Sequence, residues 1–294
     1  MSFYRSIAFF VYVVVAVSAA RSIAAEPVRL THDGAFKFGP TFAADGEEVL
    51  YSVHDAPNRV TLMRLRFSDG HQEVIDKTLK AHQLDPVESA DRRFLAFCLS
   101  NSSPQTVLIV RDRKEKTEST FTPTGARSTV RGPRIFPNSR RVVFTVSQPG
   151  GQQIATVDMK CGDYKQLTDS GGTNCWPDIS PDGKQIAFSS SRSGSFDIYV
   201  MNADGGDLFQ VTDHPLRNMR PAWSPDGKRI AFTSVRDGNH EIYVCNSNGD
   251  NMRRVTNHPA RDDYPIWHPD GRRLLMVSQR GGDTDLYLLD TGSR

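Results

Sequence analysis

The sequence predicts an all-β protein, a six-bladed β-propeller of four-stranded antiparallel blades. Two observations carry this prediction: one stretch of sequence recurs every 44 residues, and each copy divides into four short strand-like runs. Ser180–Phe188 reads SPDGKQIAF, Ser224–Phe232 reads SPDGKRIAF, and His268–Met276 is a looser copy, HPDGRRLLM. No segment of residues 26–294 has a helical periodicity. A repeat of this length with four strands is typical of propeller blades.

Weaker copies extend the repeat towards the N-terminus. They begin at Phe136, Ser89 and Ala43, so that the turn positions of six copies fall at residues 45, 91, 138, 182, 226 and 270. A single four-stranded sheet cannot cover its own apolar faces, and such sheets therefore pack side by side around an axis. Six turn positions predict six blades.

Each copy is expected to contain four strands, as the copy around residue 226 illustrates. The predicted strands are Pro221–Trp223, Arg229–Ser234, Glu241–Cys245 and Arg253–Thr256. Pro-Asp-Gly between the first two favours a tight hairpin, because glycine accepts a positive φ. In the copy before it, Ile186 and Phe188 alternate with Gln185 and Ala187, which is the period of a strand with unlike faces.

The ends of the repeat array predict how the ring closes. The last copy ends after its third strand, Asp285–Asp290, whereas Val28–Thr31 matches a fourth strand. Thr31 lies 14 residues before the turn at Asp45, just as the threonine of a later copy lies 14 residues before Asp226. We therefore expect the N-terminal strand to complete the sixth blade and leave no open sheet edge. Residues 26–294 would then form a single domain.

Residues 1–25 are expected to be a cleaved signal peptide. One positive charge precedes an apolar run from Ile7 to Val17, and small residues follow it. The run is shorter than the roughly 20 residues that span a bilayer, and no later segment approaches that length. The last residue before the cleavage could be Ala20, Ala24 or Ala25. The predicted location is periplasmic or extracellular.

Charge and cysteine usage exclude several classes of protein. The 294 residues include 36 Lys and Arg against 34 Asp and Glu, and removing Arg5 and Arg21 with the leader makes the two numbers equal. A neutral chain argues against nucleic-acid binding through phosphate charge. The four cysteines lack metal-ligand spacing such as C-x-x-C. Cys161 and Cys175 are expected at opposite ends of one strand, in a turn and in a loop, too far apart for a disulfide.

The repeat resembles the WD40-like repeats of the TolB family. The matching segments are Gln166-Leu167-Thr168, Ser191-Arg192-Ser193-Gly194, Asp197-Ile198-Tyr199-Val200-Met201 and Asp204-Gly205, and the resemblance covers residues 27–290. It implies a periplasmic, non-enzymatic propeller of the Tol-Pal envelope system. In TolB an α/β domain and a partner-binding extension precede the propeller. Here the propeller is expected to begin about two residues after the leader, so we do not expect binding to the inner-membrane Tol partner through that extension.

The loops between the fourth strand of one blade and the first strand of the next are expected to open on one face, at the mouth of the central channel. They carry aromatic and arginine side chains, which suit a binding surface. The resemblance implies that this face engages the peptidoglycan-associated lipoprotein, whereas a merely solvated surface is the alternative. The candidate partner-binding residues are Trp176, His214, Arg217, Arg220, His258, Arg261, Asp262, Asp263 and Tyr264.

Trp176 stands directly before Pro177, a position at which the other copies differ from it. The corresponding residues are Gly39, Asp85, Gly132, Arg220 and Tyr264. Trp223 and Trp267 occupy a different, shared position in the first strand and are expected to pack between blades. Arginine and acid also recur at spacing five, and we expect structural cross-strand pairs rather than a ring of ligand-binding arginines. These pairs are Arg192 with Asp197, Arg236 with Glu241, and Arg280 with Asp285.

The eight histidines raise an enzymatic alternative. Lyases with a similar propeller hold a divalent ion by channel histidines, so the alternative function is a metal-assisted lyase or hydrolase acting on acidic sugars. His214 and His258 occupy equivalent positions, where capping of a loop is the simpler interpretation. Neither the G-x-S-x-G motif of hydrolases nor H-E-x-x-H occurs. Three histidines meeting at one point in the channel would favour the enzyme.

The main prediction is a non-enzymatic, monomeric, exported propeller. It would bind an envelope protein, such as a Pal-like lipoprotein, or another cell-envelope ligand. No catalytic residue, metal site, cofactor, nucleic acid or transmembrane span is expected.

Overall fold

In a computed structural model that describes residues 26–56, 58–100 and 104–292, the chain forms six four-stranded antiparallel sheets. Five sheets take their strands in sequence order, and the sixth takes its fourth strand from the N-terminal end. The predicted six-bladed propeller is confirmed. The predicted signal peptide, residues 1–25, lies outside the described residues. None of the described residues belongs to a helix long and apolar enough to cross a membrane.

Blades 1 to 6 each contain four strands, which correspond from blade to blade. The first strands are Lys37–Phe42, His82–Glu88, Val130–Ile135, Asn174–Ile179, Asn218–Trp223 and Asp262–Trp267. The second strands are Glu48–Ala56, Phe94–Ser100, Arg141–Gln148, Gln185–Ser190, Arg229–Ser234 and Arg273–Ser278. The third strands are Arg59–Arg66, Val107–Asp112, Gly151–Asp158, Asp197–Asn202, Glu241–Asn246 and Asp285–Asp290. The fourth strands are Gln72–Val74, Thr117–Phe121, Lys165–Gln166, Phe209–Gln210, Arg253–Arg254 and Val28–Arg29.

The Ser-Pro-Asp-Gly sequence closes the first hairpin of a blade by its own side chains. In blade 4, Asp182 Oδ1 accepts the Ser180 hydroxyl at 2.7 Å and the Lys184 backbone N–H at 3.0 Å. Gly183 has a φ of 72°, which a residue with a Cβ adopts only at a cost. In blade 3, Ser139 holds the corresponding left-handed conformation with a φ of 53°. The turn geometry therefore persists where the sequence has diverged.

The hydrophobic core lies between neighbouring blades. Trp223 of blade 5 is buried in one cluster with Ala187 and Ile198 of blade 4. Trp267 of blade 6 is buried in another with Ile242 of blade 5. The predicted inter-blade packing of these two tryptophans is confirmed, and each blade is stabilised by apolar surface that its neighbour covers.

The ring closes through the N-terminal strand, as predicted. Val28–Arg29 pairs antiparallel with Asp285–Asp290, the third strand of blade 6. The fully buried carboxylate of Asp285 accepts hydrogen bonds from Thr31 Oγ1 at 2.6 Å and from Lys37 Nζ at 3.1 Å. One acid therefore joins the last blade, the N-terminal segment and the first blade. Lys37 begins the first strand of blade 1 and is completely buried.

The predicted arginine–acid pairs are wrong in their partners. Arg192 Nη2 donates to Asn174 Oδ1 at 2.9 Å, while Asp197 accepts the Thr212 hydroxyl at 2.7 Å and Asn218 Nδ2 at 2.8 Å. In the second pair, Arg236 binds Asn218 and Glu241 binds Thr256. In the third pair, Arg280 binds Asp262 and Asp285 binds Thr31. The threonine after the fourth strand donates a hydrogen bond to the acid, and the arginine instead binds a residue in the first strand of its own blade. Asn218 then connects blades 4 and 5.

The first strands begin earlier than predicted, at Asn218 instead of Pro221 in blade 5. Cys175 consequently lies in the first strand of blade 4 and not in the preceding loop. Cys161 lies in the predicted turn, and the structure has all four cysteines as free thiols. The missed residues are those that precede a bulge in the strand.

Every first strand contains this bulge, directly before a proline. In blade 4 the pairing with the second strand shifts register between Cys175 and Asp178, and the other five blades shift at the equivalent place. The bulged residue is left-handed in all six blades, with φ between 54° and 58°: Gly39, Asp85, Gly132, Trp176, Arg220 and Tyr264. A bulge re-aims the side chain that it carries. All six residues line a cavity on the propeller axis.

Candidate functional site

The axial cavity has a volume of about 230 Å³. The six first strands surround it, each contributing its bulged residue. Prolines that follow the bulge in blades 1, 4, 5 and 6 also reach it: Pro40, Pro177, Pro221 and Pro265. The face that bears the loops between fourth and first strands is termed the channel-mouth face.

Blades 4, 5 and 6 form one wall of the cavity, in which an arginine lies between two aromatic rings. The guanidinium carbon of Arg220 is 4.4 Å from the ring centroid of Trp176 and 4.2 Å from that of Tyr264. Nη1 of Arg220 donates to both carboxylate oxygens of Asp263 at 3.1 Å, and Nη2 donates to the Tyr264 hydroxyl at 3.3 Å. Cation–π contacts strengthen when they are desolvated, as this one largely is. The three side chains therefore form one rigid cluster, called the Arg220 stack.

The charges around the Arg220 stack do not cancel. Burial raises the pKa of Asp263, but the positive charges of Arg220 and Arg261 outweigh it and hold this pKa below its ordinary value. Burial lowers the pKa of Arg220, but the Asp263 carboxylate and Tyr264 together raise it by more, so the guanidinium stays charged. Two guanidinium groups share one carboxylate here. This side of the cavity is therefore positive.

Arg220 retains one unused donor. Its Nε is buried and has no hydrogen-bond partner within the described ranges 26–56, 58–100 and 104–292. A buried donor without an acceptor costs free energy, and a bound group could supply the acceptor.

Blades 1, 2 and 3 form the opposite wall, which has fewer side chains. Asp85 accepts Arg131 Nε at 2.6 Å and the Gly132 backbone N–H at 2.9 Å. Burial raises the pKa of Asp85, but the Arg131 charge and the hydrogen bonds from Arg131 and Gly132 together leave the pKa lowered. Gly39 and Gly132 contribute only backbone at their bulges. No aromatic ring lines this wall, to which Arg134, Thr145 and Gln152 also belong.

Hydroxyl groups of the preceding blade hold the bulged backbone. The N–H of Arg220 donates to Ser189 Oγ at 3.0 Å, and that of Trp176 donates to Thr145 Oγ1 at 3.1 Å. In blade 2 the N–H of Asp85 donates to Ser52 Oγ at 2.9 Å. In blade 6, Thr233 donates to Asp263, which accepts the Tyr264 N–H. The bulge is thus supported from outside its own blade.

The nine predicted partner-binding residues do not form one group. Trp176, Arg220 and Tyr264 line the cavity, with Asp263 behind them and Arg261 in an ion pair with Asp263. All but Arg261 lie in first strands and not in loops, because strand pairing begins before the bulge. The structure therefore places the aromatic residues deeper than a loop at the surface would.

Asp262 is separated from this group although it is adjacent in sequence. It is fully buried, and its carboxylate is bound by Arg280 Nη2 at 2.6 Å and by the Ser278 hydroxyl at 2.6 Å. It too lies in the first strand of blade 6 and not in a loop. Its contacts are those of a structural residue, because both carboxylate oxygens are bound within blade 6.

His214 and His258 close turns in two equivalent loops. His214 Nδ1 accepts the Leu216 N–H at 3.1 Å, and His258 Nδ1 accepts the Ala260 N–H at 3.0 Å. The structure thus shows the loop-capping interpretation of these histidines. In the part of the chain that the structure describes, no three His, Cys, Asp or Glu side chains are grouped as metal ligands.

The sequence did not identify the wall formed by blades 1 to 3 as part of the site. Asp85, Arg131 and the two glycines at its bulges lie in the weaker copies of the repeat, in which the turn motif itself has degenerated. One signal was present, since a proline follows the bulged residue in every copy. The alignment on that proline already set Gly39, Asp85 and Gly132 at the position of Trp176, but it did not mark them as site residues.

The TolB β-propeller domain is the family whose model matches this chain, over residues 63–214 and 208–294. No curated protein matches it in sequence. Among solved structures, a TolB candidate protein from Agrobacterium tumefaciens is similar with a TM-score of 0.69 and 22% identity, over 89% of this chain and 92% of that one. TolB from Acinetobacter baumannii has a TM-score of 0.65 and 21% identity, over 84% of this chain and 65% of that one.

Enzymes share this fold as well. An oligogalacturonate lyase from Vibrio parahaemolyticus has a TM-score of 0.58 and 13% identity, over 89% of this chain and 92% of that one. At these levels of identity the structural likeness shows the fold and not the activity. The function therefore has to be argued from the site.

Proposed function

Since this chain belongs to the TolB β-propeller domain family, we propose that it is an exported, monomeric, non-enzymatic propeller that binds an envelope protein at its channel-mouth face. A Pal-like lipoprotein is the partner class that the family favours. In this proposal residues 1–25 are the signal peptide, residues 26–294 are a single domain, and the protein acts in the periplasm.

The Arg220 stack is the observation that carries the proposal. Tryptophan, tyrosine and arginine are the residues that contribute most often to protein–protein binding energy. Trp176, Arg220 and Tyr264 are already fixed by mutual contacts and by Asp263. Little side-chain entropy would be lost on binding, which favours affinity. Arg220 Nε also offers an unused buried donor to an inserted group.

The enzymatic alternative has less support in the placement of side chains. A metal-assisted lyase needs several ligands that meet at one point, and the described residues contain no such group. The Nδ1 atoms of His214 and His258 accept backbone hydrogen bonds within loop turns. The cavity instead brings together aromatic rings and paired charges, which suit recognition more than chemistry.

Photo-crosslinking in the source cells tests the proposed face. A photoreactive phenylalanine replaces Asn257, an exposed residue of a loop on the channel-mouth face, and in a matched strain replaces Lys184, an exposed residue of a turn on the opposite face. We expect a discrete crosslinked product with an envelope protein from position 257, and its loss when Trp176→Ala is added.

Two results would contradict the proposal. Equal products from positions 184 and 257 would mean that the channel-mouth face is not the binding face. A product at position 257 that survives Trp176→Ala would mean that the Arg220 stack does not contribute.

A further inference from the structure

A groove on the channel-mouth face runs between blades 4 and 5, beside the axial cavity. Its volume is about 390 Å³, and Phe196, Leu216 and Val235 supply apolar surface to it. The ring of Phe196 is 5.9 Å from that of Trp176, centroid to centroid, so the groove continues from the Arg220 stack. Backbone hydrogen bonds fix its floor: the Asn218 N–H donates to the Phe196 carbonyl at 2.7 Å, and the Val235 N–H donates to the Arg217 carbonyl at 3.1 Å.

Leu216 is held in an exposed position by its loop. Its side chain is 46% exposed, although its backbone N–H is bound to His214 Nδ1. The Ser195 hydroxyl in turn donates to the His214 carbonyl at 2.9 Å, which fastens the loop to blade 4. In blade 6 the equivalent turn is made in the same way with Ala260 in place of the leucine. The turn therefore does not need a large apolar residue, and Leu216 is left for another role.

Arg217 supplies a positive charge at the groove and has no ion pair with any described residue. Its equivalent in blade 6, Arg261, forms an ion pair with Asp263. The residue of blade 5 that corresponds to Asp263 is Met219, so the acid is missing. Throughout the described part of the chain, no hydrogen-bond or ion-pair partner is found for the exposed Arg217 side chain.

His240 lies in the same groove and reports the local charge. Burial lowers its pKa, and the positive charges of Arg261, Arg220 and Arg217 lower it further, whereas Asp263 opposes them. His240 is therefore neutral near pH 7, and the positive charge of the region comes from the three arginines. An anionic group is the complement that this region lacks.

We propose that this groove binds a segment of the protein partner in which a carboxylate side chain lies beside an apolar one. The apolar side chain packs on Phe196, Leu216 and Val235, and the carboxylate pairs with Arg217. The inference rests on the proposed function, since it specifies what the partner presents to the channel-mouth face. It adds that specificity is decided in the groove between blades 4 and 5, outside the axial cavity.

Selection from a random dodecapeptide display library tests the chemistry without a known partner. The purified protein, residues 26–294, is the target. We expect recovered peptides to be enriched in Asp or Glu within two positions of Leu, Ile, Met or Phe. One recovered peptide is then synthesised, and its dissociation constant is measured for the wild type and four variants.

Arg217→Glu should weaken the peptide by about tenfold or more, because it replaces attraction with repulsion. Leu216→Ala should weaken it by about three- to tenfold through lost apolar contact. Arg217→Lys should retain most of the affinity, and the affinity of the wild type should fall as salt rises. Arg127→Glu is the matched control, since Arg127 is an exposed arginine of another loop on the same face. It should change the affinity less than twofold.

Three results would overturn the inference: no peptide is recovered, the recovered peptides lack acidic enrichment, or Arg217→Glu binds them as the wild type does. Peptides that depend on Trp176 and not on Arg217 would overturn it while leaving the proposed function intact. Thermal unfolding of each variant shows that the exposed substitutions leave the fold unchanged.

Discussion

The two walls of the axial cavity are built on the same bulge and carry different chemistry. In blades 4 to 6 the bulged residues are large and planar, and in blades 1 to 3 they are two glycines and Asp85. One wall offers aromatic rings and a shared positive charge, and the other offers backbone, the Asp85–Arg131 ion pair and the polar side chains of blade 3. A group entering along the axis would therefore contact aromatic rings on one side and polar side chains and backbone on the other.

The difference follows from the second strand of the preceding blade. Where that strand supplies a hydroxyl, the next bulge carries a residue with a side chain. The two bulges that are glycine come after Cys98 and Val277, which occupy the same position and cannot accept an N–H in this way. A left-handed residue with a Cβ costs roughly 1–2 kcal/mol, and a hydrogen bond to its N–H offsets part of that cost. The residue type at each bulge in the cavity wall thus depends on the second strand of the preceding blade.

The largest expected effect comes from the two acids that pair with cavity arginines. Asp263→Ala leaves Arg220, whose side chain is only 15% exposed, without its carboxylate, and should lower the free energy of unfolding by about 3–5 kcal/mol. Asp85→Ala leaves Arg131, which is 42% exposed and solvated, and should cost about 1–2 kcal/mol. Urea unfolding at pH 7 measures both. Equal losses would mean that the walls do not differ in burial.

A smaller effect tests the hydroxyl support directly. Ser189→Ala removes the acceptor of the Arg220 N–H and should cost about 1–2 kcal/mol, with a change in the indole signal of Trp176 in NMR spectra, because Arg220 lies on that ring. Ser190→Ala is the control, since this neighbouring hydroxyl binds Asn174 instead of the bulge. An unchanged Trp176 signal in Ser189→Ala would show that the bulge holds without the hydroxyl.

The smallest effect concerns Arg261, the second cation on Asp263. Its side chain is 43% exposed, so Arg261→Ala should cost at most about 1 kcal/mol at pH 7. Because the folded pKa of Asp263 lies below its unfolded value, its ionised form stabilises the protein above about pH 4, and this is lost as the pH falls through the folded pKa. Arg261→Ala raises the folded pKa, so the variant should lose less stability than the wild type between about pH 5 and pH 2. A steeper loss in the variant would refute this pairing.

The repeat made the architecture predictable because a similar turn sequence occurs six times. Ser180-Pro181-Asp182-Gly183 specifies a hairpin by its own hydrogen bonds, and the spacing of such turns specifies the number of blades. The closing strand was predictable for the same reason, since Thr31 has the same sequence spacing to the next turn as the threonine of a later copy. The bulge was not predictable, because the residue before proline normally favours extended backbone and tertiary contacts impose the left-handed one.

The site was predictable only in part. Trp176, Arg220 and Tyr264 could be placed together by their shared repeat position. Their contact with Asp263, and the Asp85–Arg131 pair across the cavity, depend on distances between blades that a linear pattern does not contain. The supposed Arg192–Asp197 pair shows the same difficulty, because the competing partners come from a fourth strand and from the following blade.

The closing strand pair has a consequence for how the protein folds. Val28–Arg29 and Asp285–Asp290 are joined in one sheet although nearly the whole described chain separates them. Bringing such distant segments together costs conformational entropy before their hydrogen bonds form, and this slows folding. Five blades can assemble as the chain emerges, while the sixth waits for the final strand. Until that strand pairs, the hydrogen bond between Lys37 and Asp285 cannot form, and the ring stays open.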